Sequence, residues 1–359
     1  MGTGLVSASF WNGRRVFVTG HTGFKGSWLV AWLHSLGAVV RGYSLPPVTT
    51  PNMFELAGIA RLCQHVEADI RDAAALAAAI SDFQPETVFH MAAQPLVRRS
   101  YREPLLTMET NIMGTANLLN ACRGSKAVSA VVVVTTDKCY ENDDSVHRFK
   151  EDDRLGGADP YSASKACAEL VTTSFRHSYF DQGPVIATAR AGNVIGGGDW
   201  SEDRIVPDGI RAFSAGQPLL IRSPKAVRDW QHVIDVLAGY LLLAQACTEQ
   251  GAEYGRGWNF GPDASATVEQ LVELLAKGWG GSATYTISNR DAGAAEAVRL
   301  ELDAALARSR LGWSTRMDLS LNVDATIEWY RAALDRHVPA DRLLALTCRQ
   351  IGRFSPTHH

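Results

Sequence analysis

Residues 135–140 read T-T-D-K-C-Y, directly after the apolar run A-V-V-V-V at 130–134. Asp137 and Lys138 set an acid beside a base at the end of an expected buried strand. Such a pair is either a solvated loop end or a pair that moves protons. Further on, P-Y-S-A-S-K at 160–165 places Tyr161 and Lys165 four apart, on one face of a helix. A tyrosine titrates near 10, so it becomes a base at neutral pH only where cations favour its phenolate. With Lys165 and a pyridinium nearby, Tyr161 could take a hydroxyl proton while hydride leaves the same carbon. Thr136, at a strand end, could meet them there. A third stretch, T-G-H-T-G-F-K-G at 19–26, spaces Gly20, Gly23 and Gly26 three apart. Between a strand and a helix, such glycines allow a tight turn, close approach of a pyrophosphate and close helix–sheet packing. The helix N-terminus then meets the phosphate charge. These features predict hydride chemistry with a dinucleotide.

The elements that must position them are readable as well. Short apolar, β-rich runs predict strands at 15–19, 38–43, 63–69, 87–92, 130–135 and 185–190. Trp28, Leu29, Trp32, Leu33 and Leu36 have helical spacing, and Gly37 ends that helix. Further helices are predicted at 72–80, 104–122 and 160–175, the last two opened by proline. Strands apolar on both faces, alternating with helices, predict an α/β fold, a doubly wound parallel sheet of the Rossmann type. We assign it residues 1–190. Past 191 the alternation loosens and glycines gather at 192–198. A smaller, partly helical C-terminal substrate lobe is expected over 191–359, with a segment near 224–258 returning to the first domain.

Composition narrows the classes. Of 359 residues 46% are hydrophobic and 20% charged, which fits an ordinary globular chain with a sizeable core. A net charge of −3 gives no case for nucleic acid. Six scattered cysteines without C-x-x-C argue against a disulfide framework or a zinc site. No carboxylate–histidine cluster has metal spacing, so no metal is expected; His90 and His232 read as core or loop residues, Cys139 as packing. No signal peptide and no membrane span is visible, and a cytoplasmic protein is expected. The end of the second strand, R-G-Y-S at 41–44, lacks the usual ribose-binding acid. Arg41 could instead favour a 2′-phosphate, or simply face outward, so NAD and NADP both stay open. Asp69 is a candidate for the adenine edge or a turn residue.

The glycine turn, H-M-A-A at 90–93, Asn111, Thr136 and Y-x-x-x-K together resemble the extended short-chain dehydrogenases/reductases. Longer strings resemble the CDP-D-glucose 4,6-dehydratase family: G-H-T-G-F-K-G-S-W-L, H-M-A-A-Q-P-L-V-R, T-D-K-C-Y, R-A-G-N-V-I-G-G-G-D-W, W-Q-H-V and W-N-F-G-P. The resemblance implies a lyase with NAD as cofactor and a nucleotide sugar as small-molecule substrate. Hydride leaves C4, water is lost across C5–C6, and hydride returns to C6. It implies that Tyr161 is the base at C4, with Thr136 and Lys165 as its partners. Asp137 would protonate the departing hydroxyl, and Lys138, or in reserve Glu141, would take the C5 proton. Related dehydratases carry glutamate where this chain has Lys138; the CDP-glucose branch shares the lysine. Cofactor contacts are implied at Gly20, Thr22, Gly23, Phe24, Gly26, Asp69, Ile70, Ala92, Ala93, Tyr161 and Lys165. Substrate contacts are implied at Gln94, Arg98, Asn193 and Arg228, the last two on the diphosphate, where a guanidinium pairs well. In this superfamily the helices at 104–122 and 160–175 pair with their copies into a homodimer. Leu118, Leu119, Leu170, Val171 and Phe175 fit that role or core packing equally. The implied product feeds deoxysugars of surface polysaccharides such as the lipopolysaccharide O-antigen. Other readings are another nucleotide-hexose dehydratase, a 4-epimerase, or a non-catalytic dinucleotide sensor; Asp137 speaks against the epimerase, and the retained tyrosine–lysine pair against the sensor.

Overall fold

The computed structural model describes residues 4–143, 147–281, 283–288, 297–335, 337–354 and 357–358. Seven strands form one parallel sheet: β1 (Arg15–Thr19), β2 (Val39–Ser44), β3 (Gln64–Glu67), β4 (Thr87–His90), β5 (Ala130–Val134), β6 (Val185–Ala191) and β7 (Gly257–Phe260). Their order is β7-β6-β5-β4-β1-β2-β3. Val16 of β1 lies opposite Val40 on one side and Thr87 on the other. The winding direction reverses between β1 and β4, which is where doubly wound sheets open a crevice at their C-terminal ends. Both faces are covered by helices, so β4 and β5 are buried throughout, β5 with only apolar residues.

The helices that carry the site are α1 (Phe24–Ser35), α2 (Ala73–Phe83), α3 (Gly114–Arg123), α4 (Pro160–Tyr179) and α5 (Val233–Gln250). The predicted helix at 104–122 is present but not uniform. Between Pro104–Met108 and α3, residues Glu109–Met113 widen into a π-helical turn. This turn presents buried Asn111, whose Oδ1 accepts from the Gln94 N–H at 2.8 Å while its Nδ2 donates to Ser164 Oγ at 2.8 Å. A π-turn at such a junction is a frequent mark of a functional site. Leu118 and Leu119 are fully buried in the core, whereas Leu170 of α4 and the nearby Leu105 and Met113 are exposed.

The remainder builds a smaller, partly helical C-terminal lobe from short strand pairs and helices. Asn193–Ile195 runs parallel to Trp230–His232, and Val227–Arg228 pairs with Ala266–Thr267 and Arg299–Leu300. Helices Leu319–Leu334 and Ala340–Phe354 pack on each other, and Ala340–Phe354 also lies on α1. That contact explains why α1 has no polar face: every residue from Gly26 to Leu33 is buried.

Candidate active site

The glycine turn follows β1. Gly20 has φ +73°, and a Cβ there would meet the Ala92 backbone at 2.7 Å. A Cβ on Gly26 would lie 2.2 Å from the Gly20 carbonyl oxygen. Gly23 is different. Its Cβ would meet only that same oxygen, at 3.4 Å, so the space in front of it is open. Gly23 is the N-cap of α1 and supplies no side-chain cap, leaving the first-turn N–H groups to face that opening. An uncapped N-terminus behind an open glycine fits a dinucleotide diphosphate. Thr22 holds the turn from behind, with its hydroxyl on Ser44 Oγ and the Leu45 carbonyl. Phe24 lies near the Gly196 loop. Ala92 and Ala93 follow β4, where the Ala92 N–H donates to Thr19 Oγ1. Ile70 packs on Gly114 of α3.

At the end of β2 no acid appears, and Gly42 explains part of that stretch. A Cβ there would strike the His21 ring, which is buried against the strand and hydrogen-bonded to His65 at 2.7 Å. Arg41 faces Gln64 and Asp82, with an ion pair of 2.6 Å to the latter. Its guanidinium is occupied away from the strand end. Asp69 accepts from Arg71, whose hydrogen bonds hold its carboxyl below the usual range.

The five reacting candidates converge above β5. Thr136 caps a 3₁₀ turn, Asp137–Cys139. Its hydroxyl donates to Asp137 Oδ1 at 2.8 Å, and Lys138 Nζ donates to the same oxygen at 3.2 Å. Asp137 is 1% exposed and Lys138 30%. Asp137 Oδ2 is buried with no partner. Tyr161, on the first turn of α4, hydrogen-bonds Thr136, and one turn later Lys165 Nζ donates to the Val134 carbonyl at 3.0 Å. Burial pushes the Tyr161 phenol up to about 12; the Thr136 hydrogen bond and the Arg204 charge pull against it. Arg204 is thus a cation that favours the Tyr161 phenolate. Burial draws the Lys165 ammonium itself down to about 8, against the pull of Glu169.

Arg204 and Lys25 are the residues that sequence reasoning missed. Arg204 reaches in from the C-terminal lobe and is held by Asp199 at 2.8 Å. Lys25 lies on the first turn of α1 within reach of the Tyr240 hydroxyl at 3.5 Å. Burial, with the Lys165 and Arg204 charges behind it, pushes its ammonium down to about 7. An unfolded lysine keeps its proton to near 10.5, so between these values the unfolded chain binds the extra proton. The cost of burying the charge is therefore complete below about pH 7 and fades as pH rises towards 10.5. Lys25→Met should stabilise the fold below pH 7 by on the order of 2 kcal/mol once partial solvent contact is discounted, seen as a higher melting temperature. Calorimetry of the protein without added cofactor should show that gain vanish near pH 10.

The four implied substrate residues fare unevenly. Gln94 is turned into its own loop: Nε2 donates to the Leu96 carbonyl and Thr107 Oγ1, and Oε1 accepts from the Leu96 N–H. It shapes the loop rather than facing outward. Arg98 pairs with Asp203 at 3.4 Å, and Arg222 reaches the same carboxylate. Asn193 stands at the start of its strand with Oδ1 buried and unpartnered. Arg228 is buried, with its guanidinium on the Val227 and Ala297 carbonyls. Glu141, the reserve base, is exposed and paired with Arg154.

A tyrosine and lysine one turn apart on α4 and a glycine turn after β1, on a sheet wound in this order, form the arrangement of an extended short-chain dehydrogenase/reductase. Within that class the chain belongs to the GDP-mannose 4,6 dehydratase family, whose model matches residues 17–326. It is 45% identical over 336 residues to the CDP-glucose 4,6-dehydratase of Salmonella typhimurium, covering 91% of this chain and 93% of that protein. A dTDP-glucose 4,6-dehydratase of Streptomyces antibioticus is 31% identical, over 88% of this chain and 92% of the relative. Among solved structures, the dTDP-glucose 4,6-dehydratase of Streptomyces venezuelae, with NAD bound, superposes with a TM-score of 0.75 at 26% identity, covering 88% of this chain and 97% of that one. The UDP-glucose 4-epimerase of Thermotoga maritima superposes with a TM-score of 0.78 at 26% identity, over 89% of this chain and 100% of the other.

Proposed function

We propose that the protein is a hydro-lyase that converts CDP-D-glucose to CDP-4-keto-6-deoxy-D-glucose. The observation that carries this is the buried Asp137, hydrogen-bonded to Lys138 and next to Tyr161. An epimerase needs only the base at C4; removing water also needs an acid at the C6 oxygen and a base at C5. The likeness to the Salmonella typhimurium enzyme supports the nucleotide.

NAD, when bound, would supply the carbon that takes hydride from C4 and returns it at C6. Gly20, Gly23 and Gly26 would hold its diphosphate, while Thr22, Phe24, Asp69, Ile70, Ala92, Ala93 and Lys165 would line the rest of its site. Tyr161, in the phenolate form that the Arg204 charge and a bound pyridinium would favour against burial, takes the C4 hydroxyl proton, with Thr136 as its hydrogen-bond partner. The resulting ketone acidifies the proton at C5. Asp137 and Lys138 then act as one unit. In the ion pair the proton sits on Lys138 Nζ, 3.2 Å from Asp137 Oδ1. Moving it across that hydrogen bond makes Asp137 an acid and Lys138 a neutral amine, with no change in net charge. A sugar that excludes water from the half-buried Lys138 favours this neutral form, because charges lose most on desolvation. Lys138 removes the C5 proton and Asp137 protonates the departing C6 oxygen; as hydride returns to C6, the Lys138 ammonium gives its proton back to C5. Asn193 and Arg228 hold the substrate diphosphate, Arg228 by exchanging its carbonyl partners for phosphate oxygens.

The exposed Leu105, Met113 and Leu170 on the paired helices support a homodimer across that face. Six unpaired cysteines suit a reducing cytoplasm, and the product would feed deoxysugars of surface polysaccharides.

Mass spectrometry of the purified protein with CDP-glucose, and with dTDP-, GDP- and UDP-glucose in parallel, each with NAD or NADP, tests this reading. Loss of one water from CDP-glucose alone is the expected result. Water loss from another sugar would move the assignment to that nucleotide. Isomerisation without water loss would make it an epimerase.

A further inference from the structure

The acid–base turn is clamped at both ends by one buried charge pair. Glu169 lies on α4 one helical turn beyond Lys165 and two beyond Tyr161, on the same face. Its carboxylate receives Arg190 of β6 in a bidentate pair, Nε to Oε1 at 3.0 Å and a terminal nitrogen to Oε2 at 2.8 Å. Thr188 Oγ1 donates to Oε2 at 2.7 Å. The front of the turn joins through Thr135, whose hydroxyl donates to Oε1. The back joins through Tyr140. Its hydroxyl accepts from the other terminal nitrogen of Arg190 at 2.8 Å and donates to Asn259 Oδ1 of β7 at 2.7 Å. The Tyr140 ring is 2% exposed and stacks on Phe149 with centroids 4.9 Å apart. Every polar atom around this carboxylate is thus engaged. The helix that carries Tyr161 and Lys165 also carries the anchor for Asp137 and Lys138.

We propose that Tyr140 is a positioning residue for the elimination step, acting through the Glu169–Arg190 pair to fix the turn Asp137–Cys139 relative to Tyr161. The inference rests on the dehydratase reading. Oxidation at C4 uses Tyr161, whose place is set by α4 itself. Elimination uses Asp137 and Lys138, whose places depend on the two clamps. A displacement of about 1 Å costs about a hundredfold in such a step. Loosening either clamp therefore slows elimination more than oxidation, and reduced cofactor builds up during turnover.

The test compares Tyr140→Phe, Thr135→Val and Thr135→Ser, each as the full chain with NAD and CDP-glucose. The readouts are rate of water loss, KM, and the fraction of cofactor held reduced at steady state. Tyr140→Phe and Thr135→Val should lower kcat ten- to a hundredfold. KM should change less than threefold, and the reduced fraction should rise several-fold. Thr135→Ser retains the hydroxyl and should keep the wild-type fraction. A lower melting temperature with an unchanged reduced fraction in both hydroxyl-deleted variants overturns the proposal and leaves the network purely structural. Absence of water loss in the unmodified protein refutes the dehydratase reading instead, so the two failures are separable.

Discussion

Asp137→Asn, given CDP-glucose and NAD, will reduce its cofactor once and then stall, with dehydrated product falling about a thousandfold, within the range a general acid contributes. The substitution is gentle on structure. Oδ1 keeps its two donors, Thr136 and Lys138, and the new amide takes the place of the unpartnered Oδ2 beside Gly192. What disappears is the proton. Lys138 has no acid with which to exchange it, so the pair cannot reach its neutral form. Rapid-quench mass spectrometry alongside cofactor absorbance separates the steps. Undiminished water loss would remove Asp137 as the acid while leaving the protein a dehydratase.

Tyr161→Phe blocks the sequence one step earlier. The ring keeps its packing on α4, but the hydroxyl that contacts Thr136 is gone, and with it the base assigned to the C4 proton. Cofactor reduction itself should fall at least a thousandfold, since nothing else accepts that proton. The two variants therefore differ in near-ultraviolet absorbance: one accumulates reduced cofactor, the other forms very little. Reduction of cofactor by Tyr161→Phe at near the original rate would mean that C4 is deprotonated by another group, with Lys25, drawn down to about 7, the first to examine.

Elements whose chemistry is local were legible in the sequence. The glycine turn needs only its own spacing and its flanking strand and helix. Tyr161 and Lys165 need only a helical repeat. Asp137 and Lys138 stand at the end of an unmistakable strand. The seventh strand, Gly257–Phe260, and the second lobe are less readable, because their partners are distant in sequence and their strands only two to four residues long. Arg204 escaped for the same reason. It enters from a glycine-rich loop without periodicity, and the signal was Asp199 five residues before it, ready to hold a guanidinium. Gln94 shows how a loop can claim such a residue for itself. A polar residue in an active-site loop suggests a ligand contact, yet its amide meets the backbone needs of the loop first. The π-turn around Asn111 adds one residue to a helical turn and leaves no trace in an apolar pattern.

The packing of Ala340–Phe354 on α1 has a consequence for how the chain is made. A ribosome delivers the glycine turn and its helix early, yet one side of that helix stays bare until some three hundred further residues have been translated. Until then that side of α1 is an uncovered apolar surface, the kind that holdase chaperones bind. The half of the protein that starts folding first is thus the last to be finished.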